Sequence, residues 1–324
     1  MNEKYTEVLS QYDLHVAAVK RGRGSWICET NEGLKLLKEY KGTVKRIEFE
    51  DQVLEQVQKS GCLSVDRYVK NQEGELVTSA EDGTRFIVKD WYADKECDLK
   101  NRQEIMTAVT EIADLHKLLR NIEFKEEWNL GSILAQAPHQ DMERHSKELR
   151  RARNYIRGKR RKTEFELCVI GSFEQFYTQA QEAQEGLTGL WETEDIPLFL
   201  CHGDLDQHHI LLQPSGTAII EYNKMHLGLQ MTDLYRFMRK VMEKHDWNMQ
   251  LGLAMLEAYD RMRTMSDMER TCLYYLFLYP EKYWKQINFY FNANKAWIPD
   301  RNIEKMRNLE AQQECRNRFL SRIK

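Results

Sequence analysis

Residues 202–212 read HGDLDQHHILL, and residues 217–224 continue as TAIIEYNK. Two short apolar runs, 210–212 and 218–220, are separated by the turn-forming residues QPSG, and this pattern predicts a β-hairpin. Asp204 lies in the loop that leads into the hairpin, and Glu221 directly follows its second strand. Because a tight hairpin returns the chain to its starting end, we expect these two carboxylates at the same end of the sheet.

The composition is that of a folded protein large enough to bury a substantial core. The chain has 324 residues, of which 42% are hydrophobic and 31% charged. Its net charge of −3 argues against a surface built for nucleic acid, so we expect no nucleic-acid partner. No stretch approaches the ~20 apolar residues of a membrane span. The amino-terminal residues MNEKYTEVLSQYDL contain no signal-peptide core, which predicts cytoplasmic synthesis and no membrane partner.

The first 90 residues predict a small α+β lobe. Strand-like runs occupy residues 12–40, with Asn31-Glu32-Gly33 as a hairpin turn. Residues 44–60 change to helical spacing, with Gly61 as the stop. Three further strand-like runs follow: LSVDRYV, GELVTS and TRFIVKDW.

Residues 91–324 predict a larger, mainly helical lobe that carries the hairpin. The run EIMTAVTEIADLHKLL has helical periodicity, and residues 141–190 read as two long helices joined near Gly158. The carboxy-terminal third is helical and rich in aromatic residues. Most of the aromatic stretch 274–291 is expected in the core, and part of it could form a surface for protein assembly.

The hairpin carboxylates belong to a set of residues suited to phosphoryl transfer. That reaction needs a carboxylate that orients the attacking hydroxyl, oxygen ligands for Mg²⁺ and a cation on the phosphates. Lys38 ends an apolar strand, and Glu50 lies on the following helix, where it could pair with Lys38. Lys38, Glu50, Asp204 and Glu221 therefore form a coherent candidate set.

The sequence resembles the aminoglycoside phosphotransferase and choline kinase superfamily in His202-Gly203-Asp204-Leu205, the hairpin and the acidic residue after it. It resembles the CotS-type family of bacterial spore coat proteins more closely, over nearly the whole chain. The segments that carry this second resemblance are FIVKDW, ADLH, EKHDWN and YPEKYWKQINFYFNANKAW. The resemblance implies an α+β, two-lobed protein-kinase-like fold, location in the spore coat and other coat proteins as partners.

The resemblance also implies roles for individual residues, with ATP and Mg²⁺ as cofactors. Asp204 corresponds to the catalytic base, and Asp233 to the aspartate that steadies the catalytic loop containing His202. Lys38 corresponds to the phosphate-contacting lysine and Glu50 to its partner. Gly22 and Gly24 form a short GxG in the position of the nucleotide loop.

The two metal positions depart from the family pattern. The metal-binding asparagine falls on His209, and the metal-binding aspartate falls on Glu221. Mg²⁺ prefers oxygen ligands in strict octahedral geometry, so an imidazole nitrogen is a poor substitute. Glutamate moves its carboxylate by roughly 1 Å, which can cost ~10²-fold in rate. Asp206 and Asn223 are nearby oxygen donors that could substitute.

Two functions follow from this pattern. The favoured interpretation is a spore coat component with a kinase-like fold, a degraded metal site and a structural or assembly role. The alternative is an active ATP-dependent phosphotransferase that acts on a small hydroxylated molecule or on a coat protein.

Each candidate feature also has a purely structural interpretation. His202, Asp204 and Asp233 could form a buried polar network that fixes the loop. Lys38 and Glu50 could be a plain ion pair, and His208 with His209 is half of a transition-metal site without an evident third ligand. The basic run RRARNYIRGKRRK, residues 150–162, is expected to be a solvated helix end and turn. Contact with nucleic acid or with an acidic partner protein is the alternative for this run.

Overall fold

A computed structural model describes residues 3–22, 24–61, 63–92, 95–214, 216–292 and 300–324. These residues form two compact units. The first comprises residues 1–133 and 202–225, and the second comprises residues 134–201 and 226–324. The division into lobes at residue 90 stays a prediction. No described helix is both long and apolar enough to cross a membrane.

The elements alternate between strands and helices in the first part of the chain and are mostly helices in the second. In chain order the strands are β1 (Val16–Gly22), β2 (Ser25–Thr30), β3 (Gly33–Glu39), β4 (Ser64–Val65), β5 (Tyr68–Val69), β6 (Thr78–Ser79), β7 (Arg85–Asp90), β8 (Phe199–Cys201), β9 (Ile210–Gln213), β10 (Gly216–Ile219) and β11 (His226–Gly228). The helices are α1 (Glu3–Leu9), α2 (Val44–Lys59), α3 (Arg102–Arg120), α4 (Pro138–Gly158), α5 (Glu164–Thr193), α6 (Met231–Lys244), α7 (Met249–Met262), α8 (Asp267–Leu278), α9 (Glu281–Asn292), α10 (Asp300–Ala311) and α11 (Gln313–Ile323).

The first unit is built on an antiparallel sheet with strand order β1-β2-β3-β7-β5, and β6 also pairs with β7. Strands β2 and β3 pair from Trp26–Leu37 to Thr30–Gly33, which confirms the predicted turn. Gly33 has a φ of +91°, a conformation that favours glycine. The short helix α1, which the sequence analysis did not predict, contributes Val8 to the buried core of this sheet.

Helix α2 begins and ends where its sequence predicts. The Thr43 hydroxyl accepts a hydrogen bond from the Arg46 N–H, and Gly61 follows the helix with a φ of +72°. The apolar face buries Ile47 and Val53. The helix that carries Glu50 therefore packs through this face into the interior of the first unit.

A second, three-stranded sheet positions the candidate site. Strands β9 and β10 form the predicted hairpin, and β10 also pairs in parallel with β4. Apolar side chains of the hairpin, Leu211, Ala218 and Ile220, share a buried cluster with Ile27 and Leu36 of the larger sheet. This packing fixes the segment that leads directly into Glu221.

The second unit is a helical assembly with a small two-stranded sheet, β8 and β11. Helices α4 and α5 are separated at residues 159–163, as predicted, and Thr163 starts α5 with a capping box to Glu166. Most of the aromatic stretch is buried. The members of its buried part are Tyr274, Phe277, Tyr279, Tyr283 and Tyr290, and Phe289 is 48% exposed.

A partly buried ion network joins α6 to α9 within the second unit. Glu281 accepts a hydrogen bond from the Tyr235 hydroxyl at 2.9 Å and lies 3.5 Å from Arg239 Nε. Lys285 also contacts the Glu281 carboxylate. Burial opposes ionisation, but the Arg239 and Lys285 cations outweigh it and lower the pKa of Glu281 to about 2. Glu281 therefore stabilises the fold in its ionised form.

We expect Glu281→Gln to lower the free energy of unfolding by about 3 kcal/mol at neutral pH. The folded-state pKa lies below the unfolded value of about 4.5, so the stabilisation is complete above that pH. It is lost as the pH falls towards 2, and the difference between wild type and variant should shrink by roughly half at pH 3. Urea denaturation at both pH values measures it, with the exposed Glu257→Gln as control. An equal loss at both pH values would contradict the assignment.

Candidate functional site

His202 positions the loop that carries Asp204. Its side chain is fully buried, and its Nε2 lies 2.9 Å from the Ile220 carbonyl oxygen. Its Nδ1 accepts a hydrogen bond of 3.2 Å from the Asp204 N–H. Because a carbonyl oxygen only accepts, these partners assign the proton to Nε2. His202 thus ties the start of the loop to the end of the hairpin and orients the backbone of Asp204.

The Asp204 carboxylate has a lysine partner. Its Oδ2 lies 2.6 Å from Nζ of Lys224, and the Asp204 side chain retains 16% exposure. Lys224 follows Glu221 by three residues, and the sequence analysis did not single it out. The predicted base is therefore placed at the end of the hairpin, as expected, with a cation beside it.

The predicted pairing of Lys38 with Glu50 is wrong. Lys38 Nζ lies 3.0 and 3.4 Å from the two carboxylate oxygens of Glu221. Glu50 is buried and accepts hydrogen bonds of 2.5 Å from Arg46, one turn earlier in α2, and from the Tyr68 hydroxyl. Arg46 also donates to the Met225 carbonyl, so Glu50 anchors the helix and not the lysine.

Glu221 occupies an unusual backbone conformation that a buried ion pair supports. Its φ and ψ are 68° and 54°, in the left-handed region, which costs a non-glycine residue about 1–2 kcal/mol. Its N–H donates to Asp66 Oδ2 at 2.9 Å, and the same oxygen lies 2.6 Å from Lys89 Nζ. Burial opposes ionisation of Glu221, yet Lys38 and Lys89 outweigh it and lower the pKa of its carboxyl.

The sequence analysis missed the Asp66–Lys89 pair. Both side chains are almost completely buried, with exposures of 0% and 4%. Burial raises the pKa of Asp66 to about 6, although Lys89 and the Glu221 N–H act in the opposite direction. A signal was present in the sequence: Asp66 interrupts LSVDRYV and Lys89 interrupts FIVKDW, and buried charges in strands are usually paired.

The two adjacent histidines face different carboxylates. His209 Nδ1 lies 3.3 Å from Asp206 Oδ1, which also accepts the His208 N–H. His208 Nδ1 lies 2.6 Å from Glu96 Oε2. Among the described residues, no group of three or more His, Cys, Asp and Glu side chains could hold a metal ion. His208 and His209 thus contact separate carboxylates, without a third ligand among the described residues.

The donors at the predicted magnesium position do not fit that ion. His209 offers a nitrogen, which Mg²⁺ binds poorly, and its ring faces Asp206. The Glu221 carboxylate contacts Lys38 through both oxygens. Asp206, a possible substitute, caps the following turn through its side chain. In this arrangement His209, Glu221 and Asp206 form no oxygen cage for a divalent ion.

Three predicted positions remain: Gly22, Gly24 and Asp233. Gly22 pairs with Ser25 at the tip of the β1–β2 hairpin, and Gly24 has a φ of +70°. Arg23, between them, lies outside the described residues. Asp233 is buried in the first turn of α6, in the second unit, and its N–H donates to the Gln230 carbonyl. The roles of Gly22, Gly24 and Asp233 stay predictions.

No protein-family model matches the chain, and no curated protein matches it in sequence. Solved structures do match. An aminoglycoside phosphotransferase from Alicyclobacillus acidocaldarius aligns with a TM-score of 0.85 and 16% identity, over 98% of this chain and 94% of that one. An AMP-bound spectinomycin phosphotransferase gives 0.67 and 11%, over 96% and 97%. An amicoumacin kinase in complex with AMP-PNP and Ca²⁺ gives 0.63 and 10%, over 97% and 92%.

These likenesses confirm the predicted fold class. At such low identities they establish the architecture and carry no conclusion about substrate or activity. The chain is similar to these enzymes over nearly its whole length, so both of its units belong to the shared architecture. The protein therefore has the α+β, protein-kinase-like fold of the aminoglycoside phosphotransferases.

We expect Asp66→Asn to lower the free energy of unfolding by about 3–5 kcal/mol, because it leaves Lys89 as an uncompensated buried charge. Adding Lys89→Met should recover part of this loss, since the asparagine can still accept the Glu221 N–H. Urea denaturation measures both effects. The exposed pair Lys59–Glu55 provides the control, and Glu55→Gln should cost about 0.5 kcal/mol or less. A similar small loss in Asp66→Asn would refute the structural role of the buried pair.

Proposed function

We propose that this protein is a spore coat component that uses a phosphotransferase-like fold for assembly instead of magnesium-dependent phosphoryl transfer. The observation that carries the second half of the proposal is the donor set. His209 faces Asp206, Glu221 contacts Lys38, and the described residues contain no cluster of three metal-binding side chains. Phosphoryl transfer depends on a metal ion that neutralises the charge of the phosphates, so a site without its ligands is poorly equipped for it.

The spore coat assignment rests on the resemblance of the sequence to the CotS-type family. That resemblance includes FIVKDW, whose Lys89 forms the buried pair with Asp66, and EKHDWN at the end of α6. Part of the last segment, residues 293–297, lies outside the described residues. Other coat proteins are the partners that this proposal implies.

An active ATP-dependent phosphotransferase is the second candidate. Asp204 is present, the buried His202 orients it, and 16% of its side chain remains accessible. The fold is shared with enzymes solved as complexes with AMP and with AMP-PNP. Its substrate would be a small hydroxylated molecule or a coat protein. The two candidates differ in whether Mg-ATP binds productively.

We expect Mg-ATP to leave the melting temperature of the wild-type protein unchanged. A ligand that binds the native state must stabilise it, by about 2.7 kcal/mol at a hundredfold excess over Kd. The double variant His209→Asn, Glu221→Asp rebuilds the oxygen donors, and we expect calorimetry to detect Mg-ATP binding in this variant alone. ATP with a chelator serves as the control for metal-independent binding.

Turnover of Mg-ATP by the wild type, abolished in Asp204→Ala, would establish the second candidate instead. The chelator control separates two failures. If ATP binds in the presence of the chelator, the conclusion about the metal site stands, and the site binds nucleotide without magnesium. Equal magnesium-dependent binding by the wild type and the double variant would contradict that conclusion.

We further expect the wild-type protein and Asp204→Ala to accumulate equally in coat extracts of purified spores, because assembly needs the fold and not the carboxylate. Immunoblots of coat and core fractions measure this. Asp66→Asn serves as a destabilised control that should reduce the coat fraction. Absence of the wild type from the coat would refute the location, and loss of the Asp204→Ala protein alone would indicate that the carboxylate acts in assembly.

A further inference from the structure

Five exposed arginines cluster at the carboxy-terminal end of α4 and in the turn that follows. We call them the arginine surface: Arg150, Arg151, Arg157, Arg160 and Arg161. None of them has a carboxylate oxygen within 4.0 Å among the residues that the structure describes. The protein as a whole is slightly acidic, so this local excess of positive charge does not follow from its composition.

Elsewhere in α4 and around it, positively charged side chains are paired with carboxylates. In the amino-terminal half of α4, Arg144 pairs with Asp141 at 2.6 Å and Lys147 pairs with Glu143 at 2.5 Å. Two acidic residues contact the basic run, and each of them pairs with a residue other than the five arginines. Arg153 contacts Glu174, and Lys159 lies 2.5 Å from Glu166. Among the described residues, these pairings leave the five arginines without a carboxylate partner, together with Lys162, whose ammonium donates to the Lys159 carbonyl.

The helix dipole accounts for only part of this cluster. Cations in the last turn of a helix are stabilised by roughly 0.3–1 kcal/mol, an effect that fades beyond that turn. Arg157 benefits, because α4 ends at Gly158. Arg150 and Arg151 lie about two turns earlier, and Arg160 and Arg161 lie past the helix. Helix stability therefore does not explain most of the cluster.

We propose that the arginine surface binds an acidic segment of a partner protein. Guanidinium groups are planar, permanently charged and weakly hydrated, and they pair with carboxylates through two parallel hydrogen bonds. Arg150 and Arg157 are seven residues apart on α4, which separates them by about 10 Å along the axis. Tyr155, 40% exposed, lies in the same part of α4 and packs edge-to-face against Phe291. An aspartate- and glutamate-rich stretch of a few residues matches this length.

Nucleic acid fits the same surface less well. A duplex carries one charge per about 1.7 Å and continues in both directions, so it needs a long positive track. Acidic side chains flank the arginines instead: Glu143, Glu164 and Glu174 have exposures of 50%, 57% and 73%. Each of the three forms an ion pair with a lysine or arginine, so the excess of positive charge does not continue past the cluster, and a short acidic segment needs no longer track. This inference is independent of the proposed function, because it uses no residue of the candidate site.

The test measures fluorescence anisotropy of a labelled oligo-glutamate peptide against the full-length protein at about 50 and about 200 mM NaCl. The variant changes all five residues of the arginine surface to glutamine. A matched control removes five exposed positive charges that have carboxylate partners elsewhere. These control positions are Lys20, Lys59, Lys117, Arg270 and Arg318, each changed to glutamine.

We expect the peptide to bind the wild type and the control variant similarly, and the arginine-surface variant at least about tenfold more weakly. Higher salt should weaken wild-type binding. Circular dichroism melting verifies folding, and Arg160→Gln with Arg161→Gln, both outside the helix, provides a milder variant that should lose part of the affinity.

Three results would overturn the proposal. One is the absence of peptide binding to the wild type at low salt. Another is an equal loss in the control variant, which would make the binding a property of net charge. The third is a short DNA duplex that binds more tightly than the peptide and depends on the same five arginines, which would assign the surface to nucleic acid.

Discussion

The buried ion pair between Asp66 and Lys89 is the constraint on which the candidate site depends. Asp66 follows β4 and Lys89 lies in β7, and the pair is closed to solvent. The same Asp66 oxygen that contacts Lys89 accepts the N–H of Glu221, which holds this residue in the left-handed region. An unpaired charge at this depth would cost several kcal/mol, far more than the backbone strain of one residue. The pair can therefore dictate where the hairpin ends and where the Glu221 carboxylate points.

The two other carboxylates of the site pair with lysines that are progressively more exposed than Lys89. Glu221 is directed towards Lys38, and the side chain of Lys38 is 35% exposed. Asp204 contacts Lys224, which is 57% exposed. Asp66, Glu221 and Asp204 are thus each paired with a lysine. Asp206 of the same loop faces the imidazole of His209 instead of a lysine.

Sequence patterns predicted the parts of this arrangement that are set by local periodicity. The hairpin at residues 210–219, helix α2 with its stop at Gly61, and the break between α4 and α5 all depend on residues within a few positions of one another. The pairing of β4 with β10 joins residues more than 150 positions apart, and no local pattern encodes it. Lys38 had two candidate carboxylates in the sequence. Arg46, one turn before Glu50, was the signal that this carboxylate was already taken.

The exposures of the paired lysines indicate what decides the chemistry of the site. Lys38 and Lys224 keep exposures of 35% and 57%, so either lysine can swing away to admit a ligand. The lysines alone therefore do not close the site to a metal ion. If a lysine were displaced, the site would still have a glutamate at 221 and a histidine at 209, where the family pattern that the sequence resembles has an aspartate and an asparagine. Neither substitution can be repaired by moving a side chain. The identity of residues 209 and 221, and not the presence of the lysines, is consequently the physical basis of the proposed loss of magnesium binding.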